Sequence, residues 1–399
     1  VSPVRTVDEH LAAILAAVRP LTPLDLALLE AEGTILAEPV AAPVPLPPFD
    51  NSAMDGYAVV AADVAGATEQ TPVTLPVVGD VAAGDTGVSA IASGMCTRIM
   101  TGAPVPAGAD AVVPVEWTDG GIVSVRIDRS VPPGHYIRRA GEDVAEGQVV
   151  LEPGVRLGAP QIGMLAAVGR ARVRVRPRPR VVVLSTGDEL REPGSPLAPG
   201  QIWDSNSFMI TTAVHEAGGV GFRHSALVDA PEKVLAALRE QLTRADAVIT
   251  TGGVSMGARD VVKEALAGTL TFTKVAMRPG KPQGFGLLDG VPVFTLPGNP
   301  VSAYVSFQVF VRPALRAMQG LPPEPPAAGT AVLAEPVRSP RGLRHYLRGR
   351  LTGGGAVTPA SAQGSHQMGA LAAADALIVV PEEREHMAAG EEVEIWRLP

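Results

Sequence analysis

Gly252-Gly253-Val254-Ser255 follows the apolar, β-branched run Ala247–Thr251. Paired glycines admit positive φ and leave their backbone N–H groups bare, so such a turn can cradle an oxyanion. Ser255 adds a hydroxyl, and Asp260 adds a carboxylate a few residues on. A tight strand-to-helix turn without a ligand explains the glycine pair equally well. Pro297-Gly298-Asn299-Pro300 follows a second apolar run, and there Asn299 suits an N-cap and Pro300 the first helical position. Arg278-Pro279-Gly280-Lys281-Pro282 supplies two cations three residues apart. A single helix N-terminus favours an anion by only ~0.3–1 kcal/mol. A multiply charged ligand therefore needs several such loops and the cations together. Asp188, Glu189, Asp204 and Asp260 would border the same edge. A bridging Mg²⁺ reconciles acids with an anionic ligand, because it takes carboxylates and phosphate oxygens together. Taken singly, Asp188 and Asp204 also suit helix caps.

Other stretches carry different groups. Phe49-Asp50-Asn51-Ser52-Ala53-Met54-Asp55-Gly56-Tyr57 is dense in small polar residues and acids and has no helical or strand period. It reads as a loop, either an Asx-rich connector or a ligand-facing segment with Asp55 as its sharpest residue. Thr101-Gly102-Ala103-Pro104 suits a plain turn, and Gly141-Glu142-Asp143-Val144 is a second acidic turn. Arginine occupies every even position from Arg170 to Arg180, the period of a strand with one charged face. A solvated strand or an interdomain linker explains that run at least as well as a nucleic-acid groove. Walker A, G-x-G-x-x-G and H-E-x-x-H patterns are missing from the sequence, which removes support from a standard kinase, a dehydrogenase and a zincin. The histidines lack metal-ligand spacing; His366, after Ser365, reads by default as a surface residue.

These groups need elements to position them. At 399 residues the chain has room for two to four domains of ~100–200 residues each. Thr6-Val7-Asp8-Glu9 is a capping box, and Val7, Leu11, Ile14, Leu15 and Val18 continue at helical spacing until Pro20. Thr22-Pro23 predicts a second helix closed by Gly33. Short Val-rich runs at 73–78, 96–100 and 111–115 predict a small β domain. From residue 181 strand and helix patterns alternate, which predicts a doubly wound α/β domain. Its strands include 181–184, Ala247–Thr251 and Val291–Leu296, and a helix follows over 301–315. Its turns then meet at the carboxyl edge of the sheet, where ligands sit in such folds. Residues 321–326 are Pro-rich and read as a linker into a closing β domain. The expected division is 1–50 with 139–176 as a discontinuous helical and linker domain, 51–138 as β, 177–320 as α/β and 321–399 as β.

The formal charge of −8 argues against general nucleic-acid binding. It does not forbid a local basic cluster, since screening acts over ~8 Å at physiological salt. Cys96 is the only cysteine, which excludes an internal disulfide and a Cys-based zinc site and fits a reducing, cytoplasmic setting. No basic segment followed by an apolar run opens the sequence, so no signal peptide is expected. No uncharged apolar stretch reaches ~18 residues, so no membrane span is expected.

The ordered set of motifs resembles the molybdopterin molybdenumtransferases, the molybdenum insertases that include the E domain of gephyrin. The motifs that carry the resemblance are the 49–57 loop, Met100-Thr101-Gly102-Ala103, Gly141-Glu142-Asp143, Ser185-Thr186-Gly187-Asp188-Glu189-Leu190, Asp204-Ser205-Asn206, Gly252-Gly253-Val254-Ser255, Pro279-Gly280-Lys281-Pro282, Pro297-Gly298-Asn299-Pro300 and Gln363-Gly364-Ser365-His366. They span nearly the whole chain. The resemblance implies that adenylylated molybdopterin and molybdate are the substrates, and that molybdenum is inserted with a divalent cation and AMP released. It implies that Gly252, Gly253, Ser255, Asp204, Ser205, Asn206, Pro297, Gly298, Asn299 and Ser365 hold substrate, and that Arg278 and Lys281 attract molybdate. Asp260, Glu189, Asp143 and Asp55 would position Mg²⁺, substrate or water, with Asp260 and Glu189 the metal candidates. It implies a homodimer in which Asp55, Thr101 and Asp143 of one chain serve the α/β rim of the other. Pathway partners would be the molybdopterin adenylyltransferase and recipient molybdoenzymes. The chain departs from the family where Arg278 replaces a frequent Lys and Trp203 a frequent Tyr. Two alternatives stay open: a molybdopterin adenylyltransferase, whose domain usually carries Gly-Gly-Thr-Gly, and a gephyrin-like scaffold without catalysis.

Overall fold

Alternate residues of strand Arg180–Ser185 enter two different cores. Val181 and Val183 pack with Ile210, Val214, Val301 and Val305 on one face. Val182 and Leu184 pack with Val234, Leu238, Val262 and Leu266 on the other. A strand buried on both faces needs a near-continuous apolar run, and full burial of each such side chain contributes ~1.5–3 kcal/mol. In the computed structural model, which describes residues 4–224, 230–253 and 261–398, this strand belongs to a six-stranded sheet. Its neighbours are, in order, Val220–Arg223, Arg180–Ser185, Ala247–Thr251, Val291–Leu296, Pro282–Leu288 and Leu270–Lys274. The first four run parallel and the last two are antiparallel additions. The chain leaves Arg180–Ser185 for the strand on one side and returns to the strand on the other. The crevice at that reversal, above Ser185 and Thr251, is where such sheets bind ligands.

The chain forms two units. The first comprises Val1–Leu26, Gly33–Ala37 and Arg174–Pro399. Its opening helix, Val7–Ala17, carries the expected capping box, with Glu9 N donating to Thr6 Oγ1 at 3.1 Å and Thr6 N to Glu9 Oε2 at 2.8 Å. The helix expected over 22–33 is absent. Leu24–Ala27 is instead a strand beside Arg172–Arg176, followed by a turn. Leu24, Leu26 and Leu28 also alternate at period two, and pairing with a strand partner overrides the weak helical signal. The expected helix after Asn299 runs from Pro300 to Met318, with a π turn at Phe307–Val311.

The closing strands form a ring. Arg344–Thr352, Ala356–Pro359, Ala328–Leu333, Glu392–Arg397 and Ala376–Val380 pair in that order, and the last pairs back onto the first. Closure satisfies the edges around a core of Leu333, Leu347, Val357, Ile378 and Ile395. Met277–Arg278 adds to this barrel in parallel, placing Arg278 opposite His345.

The second unit, Ala27–Glu32 with Glu38–Val173, is built on a five-stranded sheet. Its order is Ala111–Pro114, Gly56–Val59, Cys96–Ile99, Val73–Val81 and Ser124–Ile127. Asn51–Ser52 pairs with Ile137–Arg138 beside it. Among the described residues no helix is long and apolar enough to cross a membrane.

Candidate active site

The carboxyl ends of the central strands form the floor of a cleft of about 700 Å³. Ser185 Oγ and Thr251 Oγ1 lie 2.9 Å apart there, both buried. Ser185 Oγ donates to Asp204 Oδ1 at 3.0 Å. Asp204, itself buried, also accepts from Ser207 N at 3.1 Å and Ser207 Oγ at 2.6 Å. Its carboxylate thus ties helix Asn206–Glu216 to the sheet. Gly252 turns with φ +89°, and a Cβ there would sit 2.8 Å from Thr186 O, so only glycine fits. Gly298 comes so close that its Cβ would lie 3.5 Å from Gly252 Cα. Asn206 Nδ2 donates to Gly298 O at 2.7 Å. The cleft wall above carries Glu189, Ile202 and Trp203.

A second cleft, of about 460 Å³, is lined by Arg278, Lys281, Ser302, Gly364, Ser365 and His366. His366 lines both clefts. Asn299 Nδ2 donates to Ser365 Oγ at 3.0 Å, so Asn299 sits at the helix start but spends its side chain on the neighbouring loop rather than on a cap. Beneath that loop lies Arg348, only 1% exposed. Its Nη2 donates to Ala362 O at 2.7 Å and Gly364 O at 3.2 Å, and its Nε has no acceptor. Gln363 clamps the loop by accepting from Arg348 N at 3.0 Å and donating to Arg348 O at 2.9 Å. Burial, reinforced by Arg278 and Arg348, pushes the His345 imidazole down to about 4, so it is neutral at pH 7. Burial also draws the Arg348 guanidinium below its ordinary range. None of Arg278, Lys281 and Arg348 has a carboxylate partner among the described residues. Two cations without a carboxylate partner on one small concavity, Arg278 and Lys281, suit a compact anion.

The structure brings Glu189, Asp204, Ser205, Asn206, Gly252, Pro297, Gly298 and Asn299 to the first cleft, and Arg278, Lys281 and Ser365 to the second. Gly253 follows Gly252 in the same turn. Ser255 and Asp260 lie outside the described residues. Asp55, Thr101 and Asp143 belong to the second unit. There Asp55 Oδ1 accepts from Thr101 N and Thr101 Oγ1, both at 2.7 Å. These bonds, the hydroxyl's first, hold the Asp55 carboxyl below its usual range. Asp50 accepts from Ala140 N at 2.8 Å and Arg139 Nη1 at 2.6 Å, which ties the 49–57 loop to the 141–143 turn. Arg348 and His345 were not singled out by the sequence. Arg344, Tyr346, Arg348 and Arg350 share one strand face at period two, and three arginines on one face read by themselves as a solvated face. Among the described residues no group of three or more His, Cys, Asp or Glu is arranged to hold a metal.

Three family models match this chain in order: the MoeA N-terminal region (domain I and II) over residues 5–169, a probable molybdopterin binding domain over 182–317, and the MoeA C-terminal region (domain IV) over 330–398. The chain is 46% identical over 403 residues to molybdopterin molybdenumtransferase 2 of Mycobacterium tuberculosis (strain ATCC 25618 / H37Rv), covering 99% of this chain and 100% of that one. It is 39% identical over 379 residues to the molybdopterin molybdenumtransferase of Haemophilus influenzae, covering 92% of each. A crystal structure of a molybdopterin biosynthesis MoeA protein from Pyrococcus horikoshii OT3 matches with a TM-score of 0.79 at 30% identity, covering 98% of this chain and 99% of that one.

Proposed function

The chain belongs to the molybdopterin molybdenumtransferase family, and from that premise we propose that it transfers molybdenum from molybdate into adenylylated molybdopterin and releases AMP. It is a transferase of molybdenum cofactor biosynthesis. The observation that carries the finer reading is the pair of clefts joined at Asn299, Ser365 and His366. The first would take the nucleotide and pterin phosphate on the backbone of Gly252, Gly253 and Gly298, with Ser205, Asn206 and Pro297 beside them and Ser255 as a further candidate donor. The second would hold molybdate, with Arg278 and Lys281 reaching from the rim, Ser365 at the junction and buried Arg348 adding charge from below. Placing the oxyanion beside the pterin's dithiolene lowers the entropic part of the barrier, since the reacting groups no longer have to find each other.

Magnesium fits this donor set in one respect. Mg²⁺ is usually held by one or two carboxylates plus substrate phosphates; Glu189 is an exposed carboxylate on the first cleft. Glu189 and Asp260 would hold it, and it would neutralise phosphate charge. Asp204 is not offered as a ligand because its oxygens already accept from Ser185 and Ser207. The reading includes a homodimer in which Asp55, Thr101 and Asp143 come from a partner copy, and a cytoplasmic setting among the other proteins of the pathway.

The test is AMP release from adenylylated molybdopterin with and without molybdate. Molybdate-dependent release is the expected result. Lys281→Ala should raise the molybdate concentration needed for half-maximal rate at least about tenfold, the scale of one lost charge-assisted contact, with AMP affinity unchanged. No molybdate-dependent release, or adenylylation of molybdopterin from ATP by this chain alone, overturns the reading.

A further inference from the structure

Ile202 and Trp203 are adjacent large apolar residues with 55% and 51% of their surface exposed, on the wall of the first cleft. They form a two-residue strand held from both ends: Ile202 N donates to Glu189 O at 3.0 Å, and Asp204 N to Arg191 O at 2.9 Å. The next residue is Asp204, the buried anchor to Ser185. Trp203 is held by its own ring as well, since Nε1 donates to Ser195 O at 2.8 Å. The indole is therefore fixed in place yet half open to the cleft. A ring ordered in advance loses little freedom when a flat partner covers it, and a flat aromatic partner gains from stacking on it. Asn206 lines the same cleft. With its amide nitrogen given to Gly298 O, Asn206 Oδ1 is left buried without a donor. A buried acceptor without a donor is costly to leave unmade, and it suits a ligand that brings an N–H group.

Resting on the transferase reading, which supplies a nucleotide and a pterin, we propose that Trp203 is the stacking platform for an amino-substituted planar heterocycle of the bound substrate, a purine or a pterin ring. Trp203 would thus select for the ring, while the glycine turns take the phosphate. A phenyl ring at this position keeps the stacking face and loses only the tie to Ser195.

Titration calorimetry on the full chain tests this with AMP, 6-hydroxymethylpterin and ribose 5-phosphate, the last keeping sugar and phosphate without a ring. Trp203→Ala should weaken AMP, the pterin or both by about tenfold or more, and leave ribose 5-phosphate within about twofold. Trp203→Phe should restore ring affinity to within about threefold of wild type. The exposed position makes misfolding testable by comparing thermal midpoints, which should agree. Loss for AMP alone identifies the platform with adenine, and loss for the pterin alone with the pterin. Equal weakening of ribose 5-phosphate, or unchanged affinity for both rings, overturns the proposal. Unchanged ring affinity alongside normal molybdate-dependent AMP release would leave the transferase reading standing. A ring-specific loss in a chain without that release would do the reverse.

Discussion

Asp204 lines the first cleft, yet its oxygens face Ser185 and Ser207. Asp204→Asn replaces one acceptor oxygen by a donor that cannot receive those bonds. It should lower stability by ~1–3 kcal/mol, the cost of leaving a buried hydrogen-bonding group unmade, measured by urea denaturation; unchanged stability would mean the carboxylate is free for ligand. His10 offers a pH test. It is buried against Phe310, ring centroids 4.8 Å apart, and burial pushes it down to about 4, with Arg5 adding to the effect. The unfolded chain takes up that proton near pH 6.5, and the folded chain resists it. Stability is therefore full above pH 6.5 and falls between 6.5 and 4, by on the order of 3 kcal/mol for each such histidine, His345 included. Thermal midpoints across that window should fall less steeply in His10→Gln. The Asp8 carboxyl, held low chiefly by its bond from Arg344, contributes stability that is lost only as pH falls below the ordinary Asp range. At this scale the sequence was informative at Gly252, where a positive φ and the nearness of Thr186 O admit only glycine. At Arg348 it was not, because whether an alternating arginine is solvated or buried depends on the barrel closing over it.

The segments that were legible as elements state their period locally. Arg172–Arg176 alternates exposed Arg with buried Val, and Val7–Ala17 announces its start through Thr6 and Glu9. Segment 22–33 was misread because its leucines fit both periods and the choice is made by a strand about 150 residues away, Arg172–Arg176. The ring of strands at the end of the chain was likewise invisible beyond its separate members, since closure depends on Ala376–Val380 returning to Arg344–Thr352. Gly56 shows how tightly one element can be specified. A Cβ there would sit 1.9 Å from Val113 O, in the adjacent strand. Backbone cannot yield as a flexible side chain can, so Gly56→Ala should cost about 3 kcal/mol or more and loosen the sheet directly after the Asp55 loop. A denaturation midpoint equal to wild type would show that the two strands can part without loss.

Across the whole molecule, a formal charge of −8 coexists with two cations, Arg278 and Lys281, on one small cleft. That is consistent with screening, which lets a local cluster set the potential a small anion meets against an acidic net charge. The family was legible from the order of nine short motifs, each weak alone, more than from any one site. Assembly was not legible, because a single sequence carries no record of which of its surfaces meets a second copy. The proposed homodimer gives that question a sharp form. If Asp55 serves a cleft in the partner copy, Asp55→Ala and Lys281→Ala damage different halves of the same composite site. Each homodimer then has two defective sites. A mixed dimer has one site carrying both lesions and one carrying neither. Co-expression of the two differently tagged variants, with purification through both tags, should therefore recover about half of wild-type molybdate-dependent AMP release per dimer, because the sites are counted and not averaged. Recovery no better than that of either variant by itself would place Asp55 and Lys281 in one subunit's site, or remove Asp55 from the chemistry.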